Sequence, residues 1–116
     1  MDDPAKNLPE VTDKKETSIV NPDYQKNKLF KKGIHLMADE KLEDAVKVFE
    51  QILRLDATDT DTLLKLGYSK FHLDDYAGAL QAYDKVLDID VANSEAWNLK
   101  SLVNYEQKIT ERPLIA

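Results

Sequence analysis

Apolar side chains recur three and four residues apart along most of the chain. One such stripe runs from Leu63 to His72 and the next from Tyr76 to Leu87. This spacing places the apolar side chains on one face of an α-helix. Polar segments interrupt the stripes at residues 39–41, 56–59, 74–75 and 88–93. The pattern therefore predicts amphipathic helices that are joined by short turns and pack antiparallel to their neighbours.

The same residue types return at an offset of 34 residues. The matching sets are Leu29, Leu63 and Trp97; Gly33, Gly67 and Ser101; Ala45 and Ala79; Phe49 and Tyr83; Leu53 and Leu87; Asp56 and Asp90. Two helices whose axes lie about 8 to 10 Å apart need small residues where they cross. We expect Gly33 to face Ala45, and Gly67 to face Ala79, at these crossings. Phe49 and Tyr83 are expected to fill the wider space one turn along.

These residues resemble the tetratricopeptide repeat (TPR) family, whose unit is a 34-residue helix-turn-helix. Counted in the family's frame, the repeats span residues 26–59 and 60–93, with a partial third repeat at 94–116. Two features depart from the family pattern. The seventh position, usually Leu, is Lys32 and Lys100 in the first and third repeats, and the usual Pro near position 32 is replaced by Ala57 and Val91.

The resemblance implies an all-α solenoid of about 2.5 repeats, which corresponds to five helices between residues 22 and 116. Asn21-Pro22 is typical of a helix start, with Asn as the cap and Pro at the first helical position. Residues 1–21 contain two prolines and only scattered apolar side chains. We expect them to form a flexible tail. The alternative is that the tail's apolar residues fold back onto the repeats as a pseudo-ligand; these are Leu8, Val11, Ile19 and Val20.

Composition narrows the classes of function. The net charge of -6 argues against binding to nucleic acid or to an anionic membrane surface. The chain has no cysteine, which excludes disulfides and thiolate metal sites and fits a reducing compartment. No apolar run exceeds three residues, so neither a membrane span nor a signal peptide is expected. We expect a cytoplasmic protein.

Candidate catalytic and metal-binding residues are few. His35 and His72 are far apart in sequence and have no nucleophile motif beside them. Asp56, Asp59 and Asp61 resemble the start of a calcium loop but lack its central Gly and final Glu, so we interpret them as turn and cap residues. No Gly-rich phosphate-binding motif is present. The sequence predicts a non-enzymatic protein without cofactor or metal.

The TPR resemblance implies that positions 2, 5, 9 and 12 of each first helix line a groove that holds a partner peptide. Eight of these twelve positions are apolar or aromatic. They are Phe30, Ile34, Met37, Leu64, Tyr68, Phe71, Leu102 and Tyr105. If the assignment is off by one position, some of them belong to the core instead. At the positions where some family members grip a terminal carboxylate, this chain has Phe30, Ile34, Lys65, Glu95 and Leu99.

Because that clamp is absent, the expected partner is an apolar or amphipathic segment of another protein, and the chain is an adaptor or scaffold. The alternative is a structural homo-oligomer that covers the same surface by self-association. We expect Trp97 to pack on the second repeat. Other apolar residues of the last helix, among them Leu99 and Leu102, would then stay uncovered. We expect weak self-association through this helix, or else the chain is a piece of a longer repeat array. The alternative is a monomer whose C-terminal tail and long polar side chains cover the patch.

Overall fold

A computed structural model describes residues 22–111 of the chain. Their backbone forms five helices: α1 (Pro22–Ala38), α2 (Leu42–Leu55), α3 (Thr60–His72), α4 (Tyr76–Ile89) and α5 (Ser94–Glu111). This part of the chain contains no β-strand. The predicted all-α class and the five helices are confirmed. The expectations for residues 1–21, including the Asn21 cap, and for residues 112–116 lie outside the described residues.

Three of the helices begin at a polar side chain that accepts a hydrogen bond from the backbone N–H three residues further on. The pairs are Asp59 with Thr62 (3.1 Å), Asp75 with Gly78 (2.9 Å) and Asn93 with Ala96 (2.9 Å). Each bond satisfies a backbone donor that has no partner within the helix. Helix α2 differs, since Lys41 at its N-cap makes no capping bond through its side chain.

The turns between repeats keep a common geometry without the usual proline. Asp56 accepts a hydrogen bond from the Thr58 N–H at 3.1 Å, and Asp90 accepts one from the Ala92 N–H at the same distance. These side-chain bonds fix the turn locally, as Asx turns do. The aspartates that recur at an offset of 34 residues thus explain how the α2–α3 and α4–α5 turns close.

Close packing explains why a glycine and an aromatic residue recur at the same spacing in the first two repeats. A Cβ atom added to Gly67 would lie only 2.5 Å from the Tyr83 ring, and one on Gly33 would collide in the same way with Phe49. The glycines therefore lie directly beneath the aromatic rings. We expected the alanines at these positions and the rings one turn along; the three atoms nearest to each added Cβ all belong to the ring.

Each helix packs on the next one along the chain, and α3 also touches α5. Two clusters of buried side chains form the core. One is centred on Phe49 between α1, α2 and α3, and the other on Tyr83 between α3, α4 and α5. Both rings are fully buried. The first helices of the three repeats, α1, α3 and α5, therefore keep one face that the second helices do not cover.

Candidate functional site

We call the eight residues predicted to line the partner-binding surface the groove face. The structure places them at three different depths. Phe30, Ile34, Met37 and Phe71 are half-buried, Leu64 is buried, and Tyr68, Leu102 and Tyr105 are exposed. Within the groove face, the residues of α1 are therefore more deeply packed than those of α5.

On α1, the three predicted side chains pack on the Phe49 cluster. The Phe30 ring lies 5.9 Å from the Phe49 ring, measured between centroids, at an interplanar angle of 53°. Such tilted aromatic pairs are favourable. Phe30, Ile34 and Met37 thus contribute to the core as well as to the surface, which is the alternative the sequence left open.

On α3, Leu64 is only 7% exposed and belongs to the Tyr83 cluster. Leu64 shares this cluster with residues of α4 and α5 and therefore offers little surface to a partner. Phe71 packs on the same cluster and lies 5.7 Å from the Tyr76 ring of α4. Leu64 is thus a core residue, whereas the groove role of Phe71 stays a prediction.

Tyr68 is the aromatic residue of α3 that reaches solvent, with 42% of its surface exposed. Its ring meets the His72 ring edge to face, with centroids 4.3 Å apart. Phe71 contacts the other side of His72, at 5.1 Å between centroids. The contact with His72 restricts the Tyr68 ring before any partner arrives, which reduces the entropy that binding must overcome.

Helix α5 contributes the most exposed part of the groove face. Tyr105 is 61% exposed and Leu102 is 42% exposed. Ile109 extends this row by one turn at 48% exposure, and the sequence analysis missed it. The sequence could have predicted Ile109 as a groove residue, because it continues the spacing of 3 and 4 residues from Leu102 and Tyr105. It lies beyond the twelfth position of the repeat, where the search for groove residues stopped.

Acidic side chains lie at the N-terminal end of the groove face. Asp61 of α3 and Glu95 of α5 occupy the second position of their repeats, and both are exposed. Burial, together with the charge of Glu95 and the proximity of Tyr68, raises the pKa of Tyr83 far above its usual range. The Tyr83 hydroxyl thus stays protonated beneath this end of the surface, where it has no hydrogen-bond partner among the described residues.

Two features are absent from the part of the chain that the structure describes: a cluster of metal-ligating side chains and a membrane-spanning helix. Among residues 22–111, no three His, Asp or Glu side chains come together as a metal site would require. None of the five helices combines the length and apolarity that crossing a bilayer demands. In the α2–α3 turn, Asp59 caps α3 and Asp56 accepts from Thr58, whereas Asp61 lies in the first turn of α3.

Helix pairs of this kind, repeated at one offset and packed each on the next, define a helical-repeat protein. The sequence profile of the tetratricopeptide repeat matches residues 36–103. The chain belongs to the tetratricopeptide repeat family.

A search of characterised proteins found a relative in fission yeast. Over 84 residues the chain is 31% identical to "Anaphase-promoting complex subunit 3" of Schizosaccharomyces pombe. The matched segment covers 66% of this chain and 13% of that protein. The chain therefore corresponds to a small part of this relative's length.

Proposed function

We propose that this chain is a non-enzymatic protein-interaction module that binds an apolar or amphipathic segment of another protein along the groove face. The observation that carries the proposal is the row of exposed side chains from Tyr68 through Leu102 and Tyr105 to Ile109. Large apolar side chains grouped on one surface mark an interaction site more often than scattered ones do. Membership in a family whose repeats mediate protein contacts supports the same function.

The charges around the groove face refine the chemistry of the partner. Asp61 and Glu95 present two carboxylates at one end, and the overall charge of the chain is -6. A partner held by a terminal carboxylate would be repelled there. We infer that the partner is an amphipathic helix with apolar side chains at three- and four-residue spacing and with Lys or Arg at the end that meets the carboxylates.

The relative's printed name describes a subunit of a complex, which is consistent with a scaffold role. The scaffold assignment and the cytoplasmic location predicted from composition remain proposals for this chain.

A peptide titration tests the proposed function. The probe is a synthetic amphipathic helix with Leu at positions i, i+3, i+4 and i+7 and Lys at one end. The expected result is a set of amide chemical-shift changes that cluster on α3 and α5 around Tyr68, Leu102 and Tyr105. A peptide of the same composition in scrambled order should cause much smaller changes, because its apolar side chains no longer share one face.

Two variants make the test specific. Tyr68→Ala combined with Leu102→Ala should weaken binding at least about tenfold, since each change removes an exposed anchor. Leu55→Ala is the matched control, because Leu55 is also exposed, at 44%, but lies on α2. All variants should keep the helical circular dichroism signal of the parent. Equal binding by the double variant and the control would overturn the proposal.

A further inference from the structure

Within the described residues, helix α5 carries a second surface that no other helix covers, which we call the Trp97 face. It consists of Trp97, Asn98, Ser101, Asn104, Tyr105 and Lys108, all exposed. In the preceding repeat the equivalent side of α3 is covered by α4. Leu63, which corresponds to Trp97, is 1% exposed there, whereas Trp97 is 45% exposed. Gly67 is buried, whereas its counterpart Ser101 is exposed. We expected Trp97 to pack on the second repeat; its indole reaches Val91 at the end of that repeat, but 45% of its surface stays exposed.

The Trp97 side chain is held in a fixed orientation although it is exposed. Its indole N–H donates a hydrogen bond of 2.7 Å to the Val91 carbonyl. The ammonium of Lys100 lies 5.6 Å from the centre of the ring and forms an ion pair of 2.7 Å with Asp84. An amphipathic aromatic side chain fixed in advance loses little entropy on binding. It is the type of anchor in which interface energy concentrates.

Ser101, at the middle of the Trp97 face, restricts which helices can pack on that face. In the first two repeats an aromatic ring sits directly on the glycine, with no room for a Cβ atom. Ser101 has both a Cβ and a hydroxyl group. A helix that presents Phe or Tyr as α2 and α4 do therefore cannot seat on α5 in the same way. The occupant must offer a small residue opposite Ser101.

The sequence of α5 itself meets this requirement. Trp97 lies four residues before Ser101 and Tyr105 four residues after it, while Asn98 and Asn104 lie three residues on either side. An antiparallel copy of α5, related by a two-fold axis at Ser101, sets serine against serine and tryptophan against tyrosine. The same register brings the amides of Asn98 and Asn104 together and sets Ser94 opposite Lys108 of the second copy. An interface with two-fold symmetry requires this kind of self-complementarity.

We propose that the Trp97 face binds the Trp97 face of a second copy of this chain, with the two α5 helices antiparallel and Ser101 on the two-fold axis. The side chain of Leu99, named in the sequence analysis as part of the uncovered surface, is half-buried on the Tyr83 cluster and takes no part. Leu102 belongs to the groove face. The proposed dimer therefore rests on different residues from the proposed peptide binding, except for Tyr105 at the border of the two surfaces.

Disulfide trapping tests the two-fold axis directly, because the chain has no cysteine of its own. Helices packed with axes about 8 to 10 Å apart bring backbones of radius about 2.3 Å to Cα separations of roughly 3 to 5 Å at the axis. This range overlaps the separation of about 4.4 to 6.8 Å that a disulfide spans. Only a residue on the axis meets its own copy at this distance, so Ser101→Cys should form a covalent dimer under mild oxidation.

Control variants give the background rate of cross-linking and test the register of the two helices. Ala57→Cys, on an exposed turn, reports the rate of random collision, and Ser101→Cys should cross-link at least about tenfold faster. A mixture of Asn98→Cys and Asn104→Cys chains should form a disulfide between the two different chains, while each variant alone should remain reduced. Cross-linking of Ser101→Cys at the collision rate would overturn the proposal, and so would self-linking of the Asn98→Cys variant as fast as the mixture.

Sedimentation equilibrium of the full chain provides an independent measurement. Between about 10 μM and about 1 mM, the range of weak dissociation constants, the apparent mass should rise from monomer toward dimer. Tyr105→Glu should hold the chain as a monomer throughout, because it places a carboxylate against Trp97 of the other copy. Tyr68→Ala should dimerise like the parent, which separates this inference from the groove. A parent chain that stays monomeric at about 1 mM would rule out the dimer.

Discussion

Gly67 shows how a single position can determine a helix crossing. The Tyr83 ring occupies the space in which a side chain would lie, so any larger residue must displace a fully buried aromatic. Displacement of a packed ring strains neighbours in the same cluster, which includes Leu63 and Val86. The cost therefore extends beyond the residue that is changed.

Gly67→Leu should lower the free energy of unfolding by about 1 to 3 kcal/mol or more through overpacking. Urea unfolding followed by circular dichroism measures this change. Ser101→Leu is the matched control at the same repeat position, and in dilute protein it should change stability by less than about 0.5 kcal/mol, because the site is exposed. Equal loss in the two variants would mean that the Tyr83 ring is not what excludes a side chain.

An ion pair between Asp56 and Lys26 connects the α2–α3 turn to the start of α1. The ammonium of Lys26 lies 2.8 Å from the Asp56 carboxylate and 3.2 Å from that of Asp59. The hydrogen bond from Lys26, with further bonds from Thr58, lowers the pKa of Asp56 from 3.8 to about 2. Hydrogen bonding to Asp56 also raises the pKa of Lys26 above 10.5, in spite of partial desolvation.

The pH dependence of stability follows from these directions. Asp56 binds its proton more weakly in the folded chain than in the unfolded chain, so its stabilising effect is present above pH 3.8 and is lost as the pH falls toward about 2. The effect of Lys26 is present below pH 10.5 and is lost as the pH rises through its raised pKa. Unfolding midpoints measured between about pH 4 and about pH 2 should fall less steeply for Asp56→Asn than for the parent. A carboxyl resonance of Asp56 that titrates near its ordinary pKa would contradict this account.

At the scale of the helices, the capping residues explain where α3, α4 and α5 begin. Asp75 and Asn93 accept from backbone donors in the first turns of α4 and α5. Asp74 adopts a positive φ of 65° just before α4, and Glu40 adopts 61° just before α2. The left-handed backbone conformation of these two residues reverses the chain within a repeat. Between repeats, the Asx turns at Asp56 and Asp90 reverse it.

Asp75→Ala and Asn93→Ala should each lower the free energy of unfolding by about 1 kcal/mol, since each leaves a first-turn donor without its side-chain partner. Lys41→Ala provides the control, because the Lys41 side chain makes no capping bond. This variant should unfold at the same urea concentration as the parent to within experimental error. A loss at Lys41 as large as that at Asp75 would show that local helix preference, not capping, decides these positions.

At the scale of the whole molecule, stability depends on how many neighbours each helix has. Helix α3 packs on α2 and α4 and also touches α5, whereas in the described chain α5 rests on α4 with only a minor contact to α3. In a solenoid each unit is stabilised by its immediate neighbours, so the terminal helix should open more readily than the central one.

Hydrogen exchange should therefore be slowest in the middle of α3 and at least about tenfold faster in the corresponding turns of α5, which is a difference of about 1.4 kcal/mol in opening free energy. The measurement needs dilute protein, at which the proposed dimer is dissociated. Raising the concentration should then slow exchange in α5 selectively. Protection in α5 equal to that in α3 under dilute conditions would contradict the nearest-neighbour picture.

The sequence by itself determined the periodic features of this protein. Helix spacing, the recurrence at an offset of 34 residues and the turn aspartates are local properties, and a pattern within a few residues is enough to specify them. The fold class, the five helices and the membership of the repeat family could therefore be predicted. The capping roles of Asp59 and Asp75 belong to the same group, because a cap acts on a backbone donor only three residues away.

Only the tertiary structure decided how deep each side chain lies. Leu64 and Tyr68 are one turn apart on α3, and sequence spacing assigned both to the groove face, yet one is buried and the other exposed. Burial depends on which neighbouring helix reaches across the face, and for Leu64 that depends on residues of α4 and α5. The exposure of Trp97 likewise depends on which helices pack nearby. Its helical face was predictable, but whether a helix covers that face is a property of the packed molecule.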